Sequence, residues 1–87
     1  MKILPEHVVA ARGLLKWTQD DLAKACQLHR ATVSGFESET NIPSEDSIER
    51  IRLALSVHGI EFYNGGSPGV RLIKRKKPES ERADDPA

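Results

Sequence analysis

The feature that most restricts this chain is a pair of short helical patterns with almost no sequence between them. Apolar residues at helical spacing predict one helix from Thr18 to about Cys26 and another over residues 29–37, so that only residues 26–28 connect the two. Helices joined this tightly must cross steeply, and the small side chain of Ala23 lets their backbones approach closely. The sequence therefore predicts two steeply crossed helices inside a small helical domain.

The segments on either side complete the predicted fold. Residues 5–15 and 44–58 each carry apolar residues at helical spacing, with Pro5 suited to a first turn and Ser44 to an N-cap. Residues 60–63 and 70–74 alternate like strands around a glycine-rich turn. The fold class is therefore mainly α, with about four to five short helices followed by a C-terminal β-hairpin or strand pair.

Apolar residues lie on two faces of the helix predicted over residues 44–58. Ile48, Ile51 and Leu55 form a stripe that should face the core, whereas Leu53 and Val57 point more than about 100° away from it. A second apolar face needs a cover, and either the C-terminal strands or a partner subunit can supply it. We predict a dimer interface that includes Leu53, Val57, Val70 and Leu72.

Length and cysteine content favour a single domain that gains stability by association. A chain of 87 residues forms a marginal core by itself. Cys26, as the only cysteine, provides neither a disulfide nor a metal cluster, so oligomerisation remains the common source of extra burial and a homodimer is predicted. We place one domain over residues 1–75 and a disordered, charged tail over residues 76–87, which contain no large apolar side chain.

The charges balance overall but are unevenly distributed. The 13 basic and 13 acidic residues give no net charge, which argues weakly against a nucleic-acid partner. A basic run near the C-terminus is either solvated or contacts phosphate, and it consists of Arg71, Lys74, Arg75, Lys76 and Lys77. No apolar run approaches the roughly 20 residues of a membrane span, and the first residues lack a signal-peptide core. A cytoplasmic location is therefore expected.

Residues 18–37 carry a motif in a characteristic order. The stretch Thr18-Gln19-Asp20-Asp21-Leu22-Ala23 is followed, after a short turn, by Thr32-Val33-Ser34-Gly35-Phe36-Glu37. This order resembles the Cro/C1-type (XRE) helix-turn-helix family of bacterial and phage regulators, whose pattern is T-Q-x-x-L-A and then T-V-S-x-F-E. The resemblance covers about residues 5–62, includes Arg12 and implies a lambda-repressor-like bundle.

The resemblance also implies a function. The helix over residues 29–37 would enter the major groove of double-stranded DNA, where each base pair presents its own donor and acceptor pattern. Such a regulator would act as a homodimer, most often as a repressor, on an inverted-repeat operator. The positions that correspond to DNA-contacting positions of the family are Thr18, Gln19, His29, Arg30, Ala31, Thr32, Ser34, Gly35, Thr40 and Asn41.

Some of these residues have an alternative role. Arg30 either grips a guanine bidentately or is an ordinary solvated arginine. Thr18 either contacts phosphate or only caps its helix. By the same resemblance, Arg12 and Glu37 form a structural ion pair, and losing either partner would leave the other charge unpaired.

The chain departs from the family pattern at several positions in this region. Gln27 replaces a turn glycine, which predicts a strained or differently shaped turn at a cost of about 1 kcal/mol. His29 replaces the usual serine or threonine cap, and Glu39 replaces a residue that is often basic. Gly35 removes a side chain that often contacts a base in the family, and it weakens its helix by up to ~1 kcal/mol.

Other functions receive less support from the residues. Zero net charge, Gly35 and the concentration of acidic residues within the stretch 37–49 leave open a protein-binding module of the same fold, such as an antitoxin-like or anti-regulator partner. No nucleophile–base pair or phosphate-binding glycine loop points to an enzyme. The candidate metal ligands, His7, His29, His58 and Cys26, lack a recognised ligand spacing. No metal, cofactor or small-molecule ligand is therefore predicted.

Overall fold

Four helices and one hairpin make up the part of the chain that the computed structural model describes, residues 2–73. The elements in chain order are α1 (Pro5–Leu15), α2 (Gln19–Cys26), α3 (Arg30–Glu37), α4 (Glu45–Val57), β1 (Ile60–Tyr63) and β2 (Gly69–Leu72). The predicted class, mainly α with a C-terminal antiparallel strand pair, is confirmed. The second strand begins one residue earlier than predicted and ends at Leu72. The predicted tail over residues 76–87 lies outside the described residues.

Local side-chain hydrogen bonds start two of the helices. At α2, the Thr18 hydroxyl accepts the Asp21 N–H at 3.0 Å, and the Asp21 carboxylate accepts the Thr18 N–H at 2.8 Å. The Ser44 hydroxyl likewise accepts the Ser47 N–H at 3.2 Å at α4. His29 precedes α3 but caps it with no side-chain hydrogen bond. Helix α3 therefore depends more on packing than on its own cap.

Three helices end at a non-glycine residue in the left-handed region. These residues are Lys16, Gln27 and Glu39, with φ of 60°, 58° and 60°. In each case the next N–H reaches back across the turn, as in the Schellman motif: Trp17 to the Arg12 carbonyl, Leu28 to that of Ala23 and Thr40 to that of Gly35. The strain predicted at Gln27 is thus present, at roughly 1 kcal/mol, and it recurs at two further helix ends.

The core lies where the faces of all four helices meet. Its buried members come from every element except β2, and they are Ile3, Val8, Ala11, Leu22, Ala23, Cys26, Val33, Phe36, Ile51, Leu55 and Ile60. The stripe predicted on α4 faces this core, with Ile51 and Leu55 fully buried. The second apolar face of α4 is open, since Leu53 and Val57 remain 48% and 62% exposed.

The hairpin is fastened to the start of the chain by a buried histidine. Strands β1 and β2 are antiparallel, with Phe62 opposite Val70, and Val70 packs against the core. His7 is buried and accepts the Leu4 N–H at Nδ1, 2.9 Å away, so its Nε2 donates to the Tyr63 carbonyl at 2.9 Å. These bonds join α1 to the end of β1, and they place the hairpin against α1 and α4.

Candidate nucleic-acid interface

Helix α3 has one buried side and one open side. Val33 and Phe36 are buried and hold the helix against the core. His29, Arg30 and Ala31 are exposed at its leading end. Thr32 and Ser34, further along, are half-buried. The leading end of α3 is therefore accessible to a large partner, as a helix that enters a DNA groove has to be.

Arg30 is the main cation of this open side. It is exposed, and within residues 2–73 its guanidinium forms neither an ion pair nor a hydrogen bond. All five of its N–H donors are therefore available. Planar donors in this arrangement match the two acceptors on the major-groove edge of guanine.

Gly35 does not lie on the open side in the way that the sequence predicted. It is buried because the loop after α3 folds back over it. A Cβ built on Gly35 would be only 2.9 Å from the Cβ of Asn41. The burial of Gly35 does not fit the direct DNA contact expected for it, and the residue instead makes room for Asn41.

Hydrogen bonds hold the loop after α3 to the helix. The carbonyl of Gly35 accepts the N–H groups of both Thr40 and Asn41, at 3.0 and 3.2 Å. The Ser38 hydroxyl donates to the Ser34 carbonyl at 2.9 Å and lies 2.9 Å from the Thr40 hydroxyl. Thr40 and Asn41 are both exposed, so the loop brings two polar side chains to the open side of α3.

A partly buried cluster fixes α3 relative to α1 and α2. The Arg12 guanidinium donates from Nε and Nη2 to the two carboxylate oxygens of Glu37, each at 2.7 Å, and from Nη1 to the Trp17 carbonyl at 2.9 Å. Gln19 adds a donor to Glu37 at 3.1 Å. The hydrogen bond to Glu37 raises the pKa of Arg12 further, so this guanidinium stays charged. Arg12 and Glu37 are thus placed as the resemblance implied.

An open, polar groove runs between the start of α2 and the start of α3. It is lined by Arg12, Trp17, Thr18, Gln19, Asp20 and Arg30. The first backbone N–H groups of α2 lie at its edge, where a helix terminus carries partial positive charge. Asp20 is the one acid in this lining. Arg12 is paired with Glu37, so the groups that this groove offers to phosphate oxygens are the guanidinium of Arg30, the amide of Gln19 and the helix terminus.

Two features of this region were missed by sequence reasoning. Ile42, in the loop next to Asn41, is 88% exposed. The ring of Trp17 packs edge-on against His58, with centroids 4.6 Å apart, and this contact joins the start of α2 to the end of α4. Nothing in the local pattern around Trp17 or His58 indicates that the two rings meet.

Comparison with known proteins agrees with this geometry. The family model described as helix-turn-helix, which represents the Cro/C1 type, matches residues 8–62, more than half of the chain. The protein therefore belongs to the Cro/C1-type helix-turn-helix (XRE) family, whose members are DNA-binding regulators. No curated protein matches the chain significantly.

Two further findings concern other possible sites. Among the described residues, no helix is long and apolar enough to cross a membrane. Residues 2–73 also contain no group of three or more histidine, cysteine, aspartate or glutamate side chains placed to hold a metal ion.

Proposed function

We propose that this protein is a sequence-specific transcriptional regulator, acting as a repressor, that binds an inverted-repeat operator as a homodimer with α3 in the major groove. The observation that carries the proposal is the exposed, unpaired Arg30 at the leading end of a helix whose other side is fixed in the core. Family membership supports the DNA-binding part. The sites, the dimer and the sign of regulation are our proposal.

Base recognition is assigned to the open side of α3. Arg30 donates to guanine O6 and N7, Ala31 packs against a thymine methyl group, and Ser34 bonds to a base edge or a phosphate. His29 and Thr32, at the two edges of this surface, contact the sugar-phosphate backbone of the DNA. Each good bidentate pair contributes about 1–3 kcal/mol of discrimination against the wrong base.

Phosphate contacts are assigned to the groove between α2 and α3. Thr18 and Gln19 lie at the start of α2, and their polar groups would hold the helix pair in register on one strand. Gln19 is braced by its hydrogen bond to Glu37, so its free amide oxygen and remaining N–H have a restricted direction. Thr40 would contact a phosphate of the DNA backbone on the other side of α3.

The dimer is proposed to use the open face of α4. Leu53 and Val57 supply apolar area. Beside them on the same helix, Arg50 forms an ion pair with Asp46, with Nε and Oδ2 3.2 Å apart. Leu72, at 42% exposed, can extend the interface, whereas Val70 contributes less because it packs against its own core. Two copies related by a twofold axis would match half-sites roughly 34 Å apart, about one helical turn.

Repression follows from occupancy alone. A dimer on an operator that overlaps a promoter excludes polymerase from the same DNA, with no further activity required of the protein. The physical requirement is a long-lived complex, and two linked half-sites give one because the second binding event is intramolecular.

Selection of bound sequences from random DNA tests the proposal. Wild-type protein should enrich an inverted repeat, and Arg30→Ala should lose the preference at one symmetric pair of positions. Arg52→Ala is the matched control, since it removes the same charge from α4, where Arg52 is paired with Glu49. Failure of the wild-type protein to enrich any sequence would contradict the proposal.

The oligomeric state is tested separately. Sedimentation should give a dimer for wild type at micromolar concentration and a monomer for Leu53→Glu, because a charge buried in an apolar interface has no partner. A wild-type monomer at high micromolar concentration would remove the dimer from the proposal while leaving DNA binding by single domains testable.

A second function, binding to another protein, is favoured by one observation. The open face of α4 continues into a groove whose lining includes Ala25, Cys26, Leu53, Ala54 and Val57, and an antitoxin-like or anti-regulator module would use such a surface. In that case Leu53→Glu would abolish function in cells, while Arg30→Ala would have no effect.

A further inference from the structure

The loop after α3 supplies a side chain at a position where the helix itself has none. Gly35 lies four residues after Ala31, so the two share one face of α3 and adjacent turns. A Cβ on Gly35 would be 2.9 Å from the Cβ of Asn41, closer than real Cβ atoms approach each other. Asn41 therefore occupies the space that a side chain of residue 35 would otherwise fill.

The backbone fixes Asn41 in this place. Glu39 turns the chain through the left-handed region with φ of 60°, and the Gly35 carbonyl then accepts the Thr40 and Asn41 N–H groups. Ile42 follows Asn41, and Pro43 after it restricts the backbone of Ile42 to extended conformations. The position of Asn41 on α3 is thus set before any ligand binds.

The amide of Asn41 is free to recognise a ligand. The residue is exposed, and within residues 2–73 its backbone N–H is hydrogen-bonded while its side chain makes no hydrogen bond. A free carboxamide offers one acceptor and two donors in a plane. In the major groove this pattern matches adenine, whose N7 accepts and whose N6 amino group donates.

From these contacts we propose that Asn41 is a specificity-determining residue that recognises an adenine in the major groove, in place of the side chain that Gly35 lacks. The proposal rests on the proposed function, because it requires α3 to lie in the groove. A base contact by Asn41 differs from a contact with the DNA backbone in one respect: the loop then contributes to sequence preference and not only to affinity.

The test compares sequence preferences of matched variants. Asn41→Ala keeps the Cβ that packs on Gly35 and removes only the amide, so folding should be preserved. We expect the preference for adenine at one symmetric pair of operator positions to fall by about fivefold or more, with the positions assigned to Arg30 unchanged. Asn64→Ala, the same chemical change at an exposed residue of the hairpin loop, should leave every preference unchanged.

A modified operator identifies the contact on the DNA side. The adenine whose preference is lost in Asn41→Ala is replaced by 7-deazaadenine, which lacks the N7 acceptor. This change should weaken DNA binding by the wild-type protein and have little effect on DNA binding by Asn41→Ala. Gly35→Ala gives a second test, since its new Cβ must displace Asn41. It should lose the same preference while a thermal unfolding measurement shows that the domain remains folded.

The possible outcomes separate the two proposals. If Asn41→Ala lost affinity equally for all sequences, the residue would contact phosphate and the inference would be overturned. Unchanged affinity and unchanged sequence preferences in this variant would also overturn the inference. Either result leaves the regulator proposal intact if Arg30→Ala still shifts the selected sequence. A wild-type protein that selects no sequence overturns both.

Discussion

Two clusters in this protein each join an arginine and a third donor to one glutamate, and they differ in burial and in geometry: Arg12 binds both oxygens of Glu37, whereas all three donors reach the same oxygen, Oε1, of Glu61. In the first, Arg12 binds Glu37 and Gln19 adds a third donor. In the second, Arg71 binds Glu61 and the Tyr63 hydroxyl adds a third donor at 2.7 Å. The side chains of Arg12 and Glu37 are 19% and 6% exposed, whereas those of Arg71 and Glu61 are 64% and 41% exposed.

The comparison shows why similar hydrogen bonds have different consequences. Water can solvate the exposed pair as soon as it opens, so the pair contributes little net stability. The Glu37 carboxylate is much less accessible to water, and its two oxygens accept from Arg12 and Gln19. The partly buried cluster also connects residues 12 and 37, on α1 and α3, whereas the exposed cluster joins strands that already face each other at residues 61 and 71. Only the first cluster therefore determines the direction of α3.

The largest effect is expected from removing one partner of the partly buried cluster. Arg12→Ala leaves the Glu37 carboxylate with only the Gln19 amide as a partner, and because the cluster is partly buried we expect the free energy of unfolding to fall by about 2–3 kcal/mol. Urea denaturation followed by circular dichroism measures this loss. Arg71→Ala is the matched control, and its loss should be small beside that of Arg12→Ala because the pair is exposed. Equal, small losses in the two variants would break the comparison.

Replacing both partners should restore part of the loss. In Arg12→Met combined with Glu37→Leu, no buried charge remains, so the double variant should be more stable than either single variant by roughly 1–3 kcal/mol. The DNA affinity of the double variant should nevertheless be lower than that of wild type, because the hydrogen bonds that orient α3 and Gln19 are absent. Additive losses in the double variant would show that the two charges do not depend on each other.

The third donors give a smaller difference. Gln19→Ala removes a neutral hydrogen bond to a buried carboxylate and should cost about 1 kcal/mol. Tyr63→Phe removes the corresponding bond to an exposed carboxylate, and we expect no measurable change in the denaturation midpoint. The comparison would weaken if Tyr63→Phe cost as much as Gln19→Ala.

Burial and sequence separation also determine how much of this could be predicted. Thr18 and Ser44 mark helix starts because their capping bonds are local, and the apolar stripe of α4 follows from helical spacing alone. The pairing of Arg12 with Glu37 came from family resemblance, since no local pattern joins residues so far apart in the chain. The covering of Gly35 by Asn41 and the meeting of Trp17 with His58 arise only from tertiary contacts.

The smallest predicted effect is a pH dependence of the exposed cluster. The Tyr63 hydroxyl and the Arg71 guanidinium lower the pKa of Glu61 from the ordinary value of 4.5. A carboxyl with a lowered pKa in the folded state contributes stability that is fully present above about pH 4.5 and is lost as the pH falls through the folded pKa. The free energies of unfolding of wild type and Glu61→Gln should therefore differ by the same small amount at pH 7 and pH 5, and by less as the pH falls below 4.5.

Measuring both proteins cancels the titration of the carboxylates that they share, and 1 M salt should reduce the difference because the pair is exposed. A difference that grows on acidification would mean that Glu61 is stabilised in its protonated form, contrary to the contacts with Tyr63 and Arg71.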